Sequence, residues 1–190
     1  MDQNNKFSIF CIDPPWPKQK GGKRSIRPKQ DKHLNYKTLS VLDIFTLLDK
    51  EIFPSAIWPH NIFMWTVDEF LTECETRMLR RGYKKHARLI WDKGNGVAPA
   101  FTVRYSHEYV IWWYKPTFPG ISKDTRGKYS TVLRENSREH SRKPDCFYKM
   151  VEDWYPNEKK LDVFSREKRK GWEQYGDEID YYTFTKEIEE

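Results

Sequence analysis

Nothing in the sequence approaches the roughly 18–20 consecutive apolar residues of a membrane-spanning helix, so no membrane partner is expected. Cysteine is scarce. Cys11, Cys74 and Cys146 stand far apart in no metal-ligand spacing, and an odd count gives no complete disulfide framework. The polar start, Met1 to Lys6, lacks the apolar core of a secretory leader. Together these features predict a reducing, cytoplasmic setting. His107-Glu108 has no second histidine at ligand spacing, and His140 has no acid–base partner nearby, so no metal site is expected and the His-Glu pair reads as structural. Gly94-Asn95-Gly96 is not followed by the Gly-Lys-Ser/Thr that would make it a phosphate cradle.

Aromatic residues are abundant: eight Trp, eleven Tyr and eleven Phe make 16% of the 190 residues. That content separates the chain from disordered sequences. Most of these rings are expected to fill one core, in a chain long enough for a single domain over residues 1–190 and short for two. The formal net charge of +6 favours a polyanionic partner. The charge is concentrated. Between Pro17 and Lys37 lie eight Lys or Arg and one acid, Asp31, whereas the end of the chain is acidic.

Phe7 to Ile12 is an apolar run rich in β-formers, and Asp13-Pro14-Pro15 ends it because two prolines cannot continue a ladder. Residues 17–37, with Gly21-Gly22 and no hydrophobic period, read as a basic loop. A helix is predicted from about Ser40, a strand over Asn61–Val67, and a helix capped by Asp68 and closed by Gly82. Further strands are predicted over Ala87–Trp91 and Tyr109–Tyr114. A second long loop fills 115–142, Pro144-Asp145 opens a helix to Trp154 with proline in its first turn, and Leu161–Phe164 is the last clear strand. The alternation predicts an α/β fold around a mostly parallel sheet. In such sheets ligands bind beyond the carboxyl ends of the strands, so Asp13 and Ser165-Arg166 should share one rim.

Asp13-Pro14-Pro15-Trp16 carries the chemistry. An ionised Asp13 only accepts hydrogen bonds, the prolines remove two N–H donors, and Trp16 offers a flat face for a base. An exocyclic amine on an aromatic ring is a poor nucleophile. Accepting hydrogen bonds from both its N–H groups draws the nitrogen toward tetrahedral geometry and frees its lone pair, so positioning and electrostatics suffice for catalysis. Alone, the four residues read equally well as a strand-to-loop breaker with a capping Asp.

The surrounding blocks narrow the reading. Ile12–Trp16, Tyr36–Ser40, Phe63–Thr66, Ile90–Lys93, Ser106–Tyr109, Ser141–Asp145, Leu161–Arg166, Gly171-Trp172 and Tyr175–Glu178 follow one another in the order seen in the MT-A70 family of N6-adenine methyltransferases. The chain resembles that family from about Ile9 to Glu178. The resemblance implies a Rossmann-like class I methyltransferase fold in permuted motif order, with seven to eight strands and helices on both faces. It implies catalytic roles for Asp13, Pro14, Pro15 and Trp16, and S-adenosylmethionine as cofactor. Ile12, Asp13, Ser141, Lys143, Phe164, Ser165, Arg166, Asp177 and Glu178 would hold that donor. Asp177 stands where the family commonly has Asn; it keeps an acceptor for a ribose hydroxyl and loses the amide donor.

Substrate contacts are expected from Trp16, from Tyr36 as a base-contacting or gating residue, and from Lys18, Lys20, Lys23 and Arg24 on the phosphates. An adenine in a duplex would have to leave the stack to reach Trp16. The run Arg166–Lys170 reads either as a nucleic-acid contact or as a solvated face. A compact basic chain without a visible RNA-recognition module resembles the DNA-modifying branch of the family, with RNA as the alternative. A catalytically inactive partner subunit is the alternative of another class, although Asp13 and Trp16 are both retained. Target recognition would come from the two loops, a homodimer or a second subunit.

Overall fold

The computed structural model describes residues 6–17, 38–94, 103, 105–138 and 142–177. Seven strands form one sheet in the order β5-β3-β4-β2-β1-β6-β7. They are β1 (Phe7–Ile12), β2 (Ala56–Thr66), β3 (Lys84–Asp92), β4 (His107–Lys115), β5 (Val132–Arg134), β6 (Lys160–Val163) and β7 (Trp172–Tyr175). Among the described residues three α-helices accompany them: α1 (Val41–Leu47), α2 (Asp68–Arg80) and α3 (Asp145–Trp154). The α/β class and the mostly parallel sheet are as expected, with one exception. β4 runs antiparallel to both of its neighbours, β2 and β3.

β1 is buried along its whole length because parallel neighbours flank it on both edges, as a continuous apolar run requires. Its side chains alternate between two cores. Phe10 and Ile12 join Ile44, Phe45, Cys74 and Met78 from α1 and α2. Ile9 and Cys11 join Phe147, Met150, Val151 and Trp154 from α3 on the opposite face. The same two-residue period sends Met64 to the first core and Phe63 and Trp65 to the second. The helices therefore cover both faces, as the resemblance implied.

Several expected details change. Ser40 caps α1, its side chain accepting from the Asp43 N–H, and the helix passes into a π-turn before the Pro54 stop. Val67, not Asp68, is the N-cap of α2, and Leu79 of that helix is exposed. The predicted second loop over 115–142 contains β5 and a 3₁₀ turn at Lys123–Thr125. Leu161–Phe164 is not the last strand, since β7 pairs in parallel with β6. β5 and β7 have three and four residues, and each is held by one neighbour at an edge, so neither has room for a readable period.

Pro144 sits at the N-cap of α3 and offers no side-chain acceptor. Glu135, just beyond β5, supplies it from outside the helix: its carboxylate accepts from the backbone N–H of Asp145 at 2.9 Å and of Cys146 at 2.8 Å. An anion at this position also complements the helix dipole. Glu135→Ala should lower stability by about 1–2 kcal/mol, measured as a fall in the urea midpoint at unchanged m-value.

Candidate active site

The prolines that stop β1 also split its last residues between the two faces of the sheet. The Asp13 N–H donates to Val163 O at 3.2 Å, so the residue still follows the line of β6. Lying two residues beyond Cys11, it continues the face that α3 covers. Trp16 turns the other way. Its Nε1–H donates to Trp65 O at 3.1 Å, and its ring stacks on Phe70 at 5.3 Å with a 9° interplanar angle. The ring expected to offer a flat face to a base has Phe70 against one of its two faces. The backbone carbonyls of the motif are partly used: Pro14 O accepts from Trp16 N at 2.8 Å and Pro15 O from Leu39 N at 3.0 Å. Each oxygen keeps a second lone pair.

Asp13 meets a buried cation. Lys143, whose side chain is 8% exposed, places Nζ 3.0 Å from Asp13 Oδ1 and 3.1 Å from Glu108 Oε2. Lys93 closes the far side of Glu108 at 2.6 Å. The Lys143 ammonium also lies 5.2 Å from the centre of the Trp65 ring, within cation–π range. Burial opposes the charge on Lys143, yet Asp13 and Glu108 together hold its pKa above the ordinary 10.5. Burial likewise works against Glu108, but Lys143 and then Lys93 bring its carboxyl down to about 2. For Asp13 burial dominates and raises the pKa above 3.8, with Lys143 pulling against it and Glu108 adding to the rise.

Glu108 was read as half of a structural His-Glu pair ahead of a strand. It is instead the second residue of β4 and a member of this cluster. The reason is the direction of β4. An antiparallel strand brings its first residues, not its last, to the rim where β1 and β6 end. No local signal announces that reversal.

An open pocket adjoins the cluster, lined by Asp13, Lys143, Tyr148, Asp162, Phe164 and Ser165 together with the charged side chains of Arg142, Arg166, Glu167 and Arg169. Asp13 and Ser165-Arg166 therefore share one rim, as expected. Phe164 has φ of 61°, a left-handed conformation costly for a residue with a side chain, and its N–H donates to Tyr175 O at 2.6 Å. The turn after β6 is pressed against the turn after β7. A Cβ on Gly176 would stand 3.2 Å from Phe164 Cα and 3.3 Å from Ser165 O, so a side chain there would push the two turns apart by a few tenths of an ångström.

Of the other expected donor contacts, Ile12 is fully buried at the end of β1, and Asp177 is exposed beyond β7 and does not line the pocket. Ser141 and Glu178 lie outside the described residues, as do the expected substrate residues Lys18, Lys20, Lys23, Arg24 and Tyr36. In the run Arg166–Lys170, the solvated-face and nucleic-acid readings both miss part of the arrangement. Glu167 accepts from Arg142 at 2.5 Å and from Arg169 at 2.9 Å, and Arg169 also reaches Asp145 at 2.8 Å while its guanidinium lies 3.8 Å from the Tyr148 ring centre. These ion pairs tie the turn after β6 to the start of α3. Among the described residues no group of three or more His, Cys, Asp or Glu is placed to hold a metal ion, and no helix is long and apolar enough to cross a membrane.

The comparisons with known proteins agree on one relationship. The family model MT-A70 matches residues 7–178. An Arabidopsis thaliana protein named N(6)-adenosine-methyltransferase MT-A70-like is 26% identical over 192 residues, covering 94% of this chain and 24% of the relative. A Medicago truncatula protein named "Putative N(6)-adenosine-methyltransferase MT-A70-like" is also 26% identical over 192 residues, covering 94% of this chain and 27% of the relative. The chain thus spans about a quarter of the length of these curated relatives.

Lys143→Met would leave Asp13 and Glu108 facing each other without a shared cation. Removing one partner of a buried ion cluster costs about 3–5 kcal/mol, and that loss is expected in urea unfolding at pH 7. Glu108 has its pKa depressed in the folded chain, from 4.5 to about 2. Its stabilising contribution is therefore complete above about pH 4.5 and fades as pH falls toward 2. The gap between wild type and Lys143→Met should narrow on acidification from pH 7 to pH 4, because the orphaned carboxylates of the variant take up protons there while Glu108 of the wild type stays largely ionised. A gap that stays constant over that range would contradict the assigned cluster.

Proposed function

Because the chain belongs to the MT-A70 family, we propose that it transfers the methyl group of S-adenosylmethionine to the N6 amine of adenine in DNA, with Asp13 to Trp16 at the reaction centre. The observation that carries this reading is the position of Asp13, fixed by Lys143 at the rim of a pocket whose other wall is the Phe164–Ser165 turn. The pocket residues fit such a donor. The Asp13 carboxyl suits its ammonium and sulfonium groups, and the cations that also line the pocket, Lys143 among them, suit its carboxylate. When bound, S-adenosylmethionine supplies an electrophilic methyl group on a sulfonium.

The chain's own residues do the rest. The Asp13 carboxylate accepts one hydrogen bond from the adenine amine, and the free lone pair of Pro14 O accepts another. Lys143 keeps Asp13 oriented, so little reorganisation is needed as the amine turns nucleophilic. Trp16, braced by Phe70, supports the base from the side away from α3. Lys18, Lys20, Lys23 and Arg24, only a few residues beyond Trp16, are placed by sequence to follow phosphates. Support for a nucleic-acid substrate is the net charge of +6, with eight Lys or Arg between Pro17 and Lys37; DNA is the reading that the sequence resemblance suggested. The second reading is RNA, favoured by the printed names of the relatives, which specify adenosine.

Incorporation of radiolabelled methyl groups from S-adenosylmethionine into duplex DNA, single-stranded DNA and RNA of matched sequence separates the two. The expected result is N6-methyladenine in DNA, with incorporation by Asp13→Ala reduced about 10²–10³-fold or more at unchanged far-ultraviolet circular dichroism. Retained turnover in Asp13→Ala would refute the catalytic role. Nucleic-acid binding with no methyl transfer to any of the three substrates would instead favour an inactive partner subunit.

Neutralising Lys18, Lys20, Lys23 and Arg24 together should flatten the salt dependence of nucleic-acid binding. Four lost phosphate contacts correspond to a change of about 3 in the slope of log K against log salt. Equal slopes for wild type and variant would remove these residues from the interface.

A further inference from the structure

Asp162 is a buried carboxyl for which the proposed chemistry has no role so far. It lies in β6, 2% exposed, and stands opposite Cys11 of β1 in the parallel register. Asp13 is two residues beyond Cys11 on the same face, so Asp162 sits about 7 Å below it, on the floor of the same pocket. The Tyr148 hydroxyl of α3 donates to its Oδ2 at 3.0 Å, and the Cys11 thiol opposite also favours its charged form. Among the described residues no Lys or Arg forms an ion pair with it. The nearby guanidinium of Arg169 lies on the Tyr148 ring and pairs with Glu167 and Asp145 instead. On its other side the register partner is uncharged Gln174 of β7.

A buried carboxylate without a cation is costly, so the group needs either a proton or a positive ligand. The pocket above it opens to solvent and is the one assigned to the donor. We infer that Asp162 is a proton-linked countercharge for the cationic methionyl end of S-adenosylmethionine: it is a neutral acid in the free chain and gives up its proton when the donor binds. This rests on the donor assignment proposed above. The step balances as carboxylic acid to carboxylate plus a proton released to the buffer, the new negative charge being matched by the ligand.

The groups that face Asp162 make it the one that titrates near neutrality. Burial pushes its own carboxyl up to about 7, with Tyr148, Cys11 and the charge of Arg169 lowering it and Asp13 raising it. Cys11 and Tyr148 are themselves driven by burial well above their ordinary values and stay neutral there. Arg169 stays charged throughout, and Asp13 is held by Lys143. A cationic ligand favours the deprotonated form, so donor affinity should rise with pH up to about 7–8 and level off above.

The experiment is isothermal titration of the full chain with S-adenosylmethionine at pH 6, 7 and 8, in pairs of buffers that differ in ionisation enthalpy. Wild type should release most of one proton per donor at pH 6 and little at pH 8, with affinity rising up to about tenfold between them. Asp162→Asn, which copies the neutral acid and cannot ionise, should bind with no linked proton and with affinity independent of pH over that range. Tyr148→Phe removes a hydrogen bond that favours the carboxylate, so the midpoint of the pH dependence should move upward. Donor binding by wild type without proton release, or release that persists in Asp162→Asn, would overturn the inference while leaving the donor assignment intact. Failure of wild type to bind the donor at any of these pH values would overturn both.

Discussion

Lys143 is the residue on which the rim of the sheet depends. One ammonium, nearly excluded from water, joins Asp13 at the end of β1 to Glu108 at the start of β4, and it rides on the residue pair that leads into α3. Three segments far apart in sequence are thereby held at one point. A cation so buried is tolerable only with its partners in place, because its desolvation must be offset by close, well-directed charges. The cluster is thus as much a constraint on the fold as a feature of the site. If α3 shifted, Lys143 would lose both carboxylates, and Asp13 would lose the group that fixes its direction.

The geometry follows from strand direction. β1, β2 and β6 run in parallel and present their carboxyl ends at one edge. Antiparallel β4 presents its amino end there, and this alone brings Glu108, and through it Lys93, to within reach of Lys143. An all-parallel sheet would have carried residue 108 to the opposite edge, some seven residues of strand away, and Lys143 would face Asp13 alone. The two-residue alternation along β1 does the complementary work. Asp13 continues the face of Cys11 and α3, while Trp16, released by two prolines, crosses to α2 and stacks on Phe70. The motif therefore straddles the sheet edge, with its carboxylate on one side and its ring on the other.

Much of this was legible in the sequence. The apolar run ending at Asp13-Pro14-Pro15 specified a central buried strand and its stop, and the alternation of elements specified an α/β layer structure. The rule that ligands gather beyond strand ends placed Asp13 with Ser165-Arg166 before any contact was known. The parts that escaped share a physical cause: they depend on pairing between distant segments. β5 and β7 are too short to show a period. Glu135 caps α3 from ten residues upstream, and a search for a capping residue next to Pro144 would not find it. Glu108 and Lys93 acquire meaning only from the reversal of β4. Asp162 looks like one polar interruption in Leu-Asp-Val-Phe, and its surroundings, Tyr148 from a helix and Cys11 from a neighbouring strand, exist only after folding. The run Arg166–Lys170 misled in the opposite sense, since its composition suggested solvent or a polyanion while Glu167 and Arg169 are bound up in internal ion pairs.

The distribution of charge then acquires a functional logic. The chain as a whole is cationic, and the inner rim carries both signs: Asp13, Glu108 and Asp162 stand with Lys143, Lys93 and the arginines of the pocket. A group entering there meets charges that are already paired, so a neutral hydrogen-bond donor such as a base amine has no charge to displace. The positive charge of a bound donor would matter most at Asp162, which has no ion pair among the described residues. Lys143 makes the arrangement stable by neutralising one of the three acids' charges outright and fixing the other charge nearest the reacting atoms, leaving Asp162 as the one acid whose charge is free to depend on what occupies the pocket.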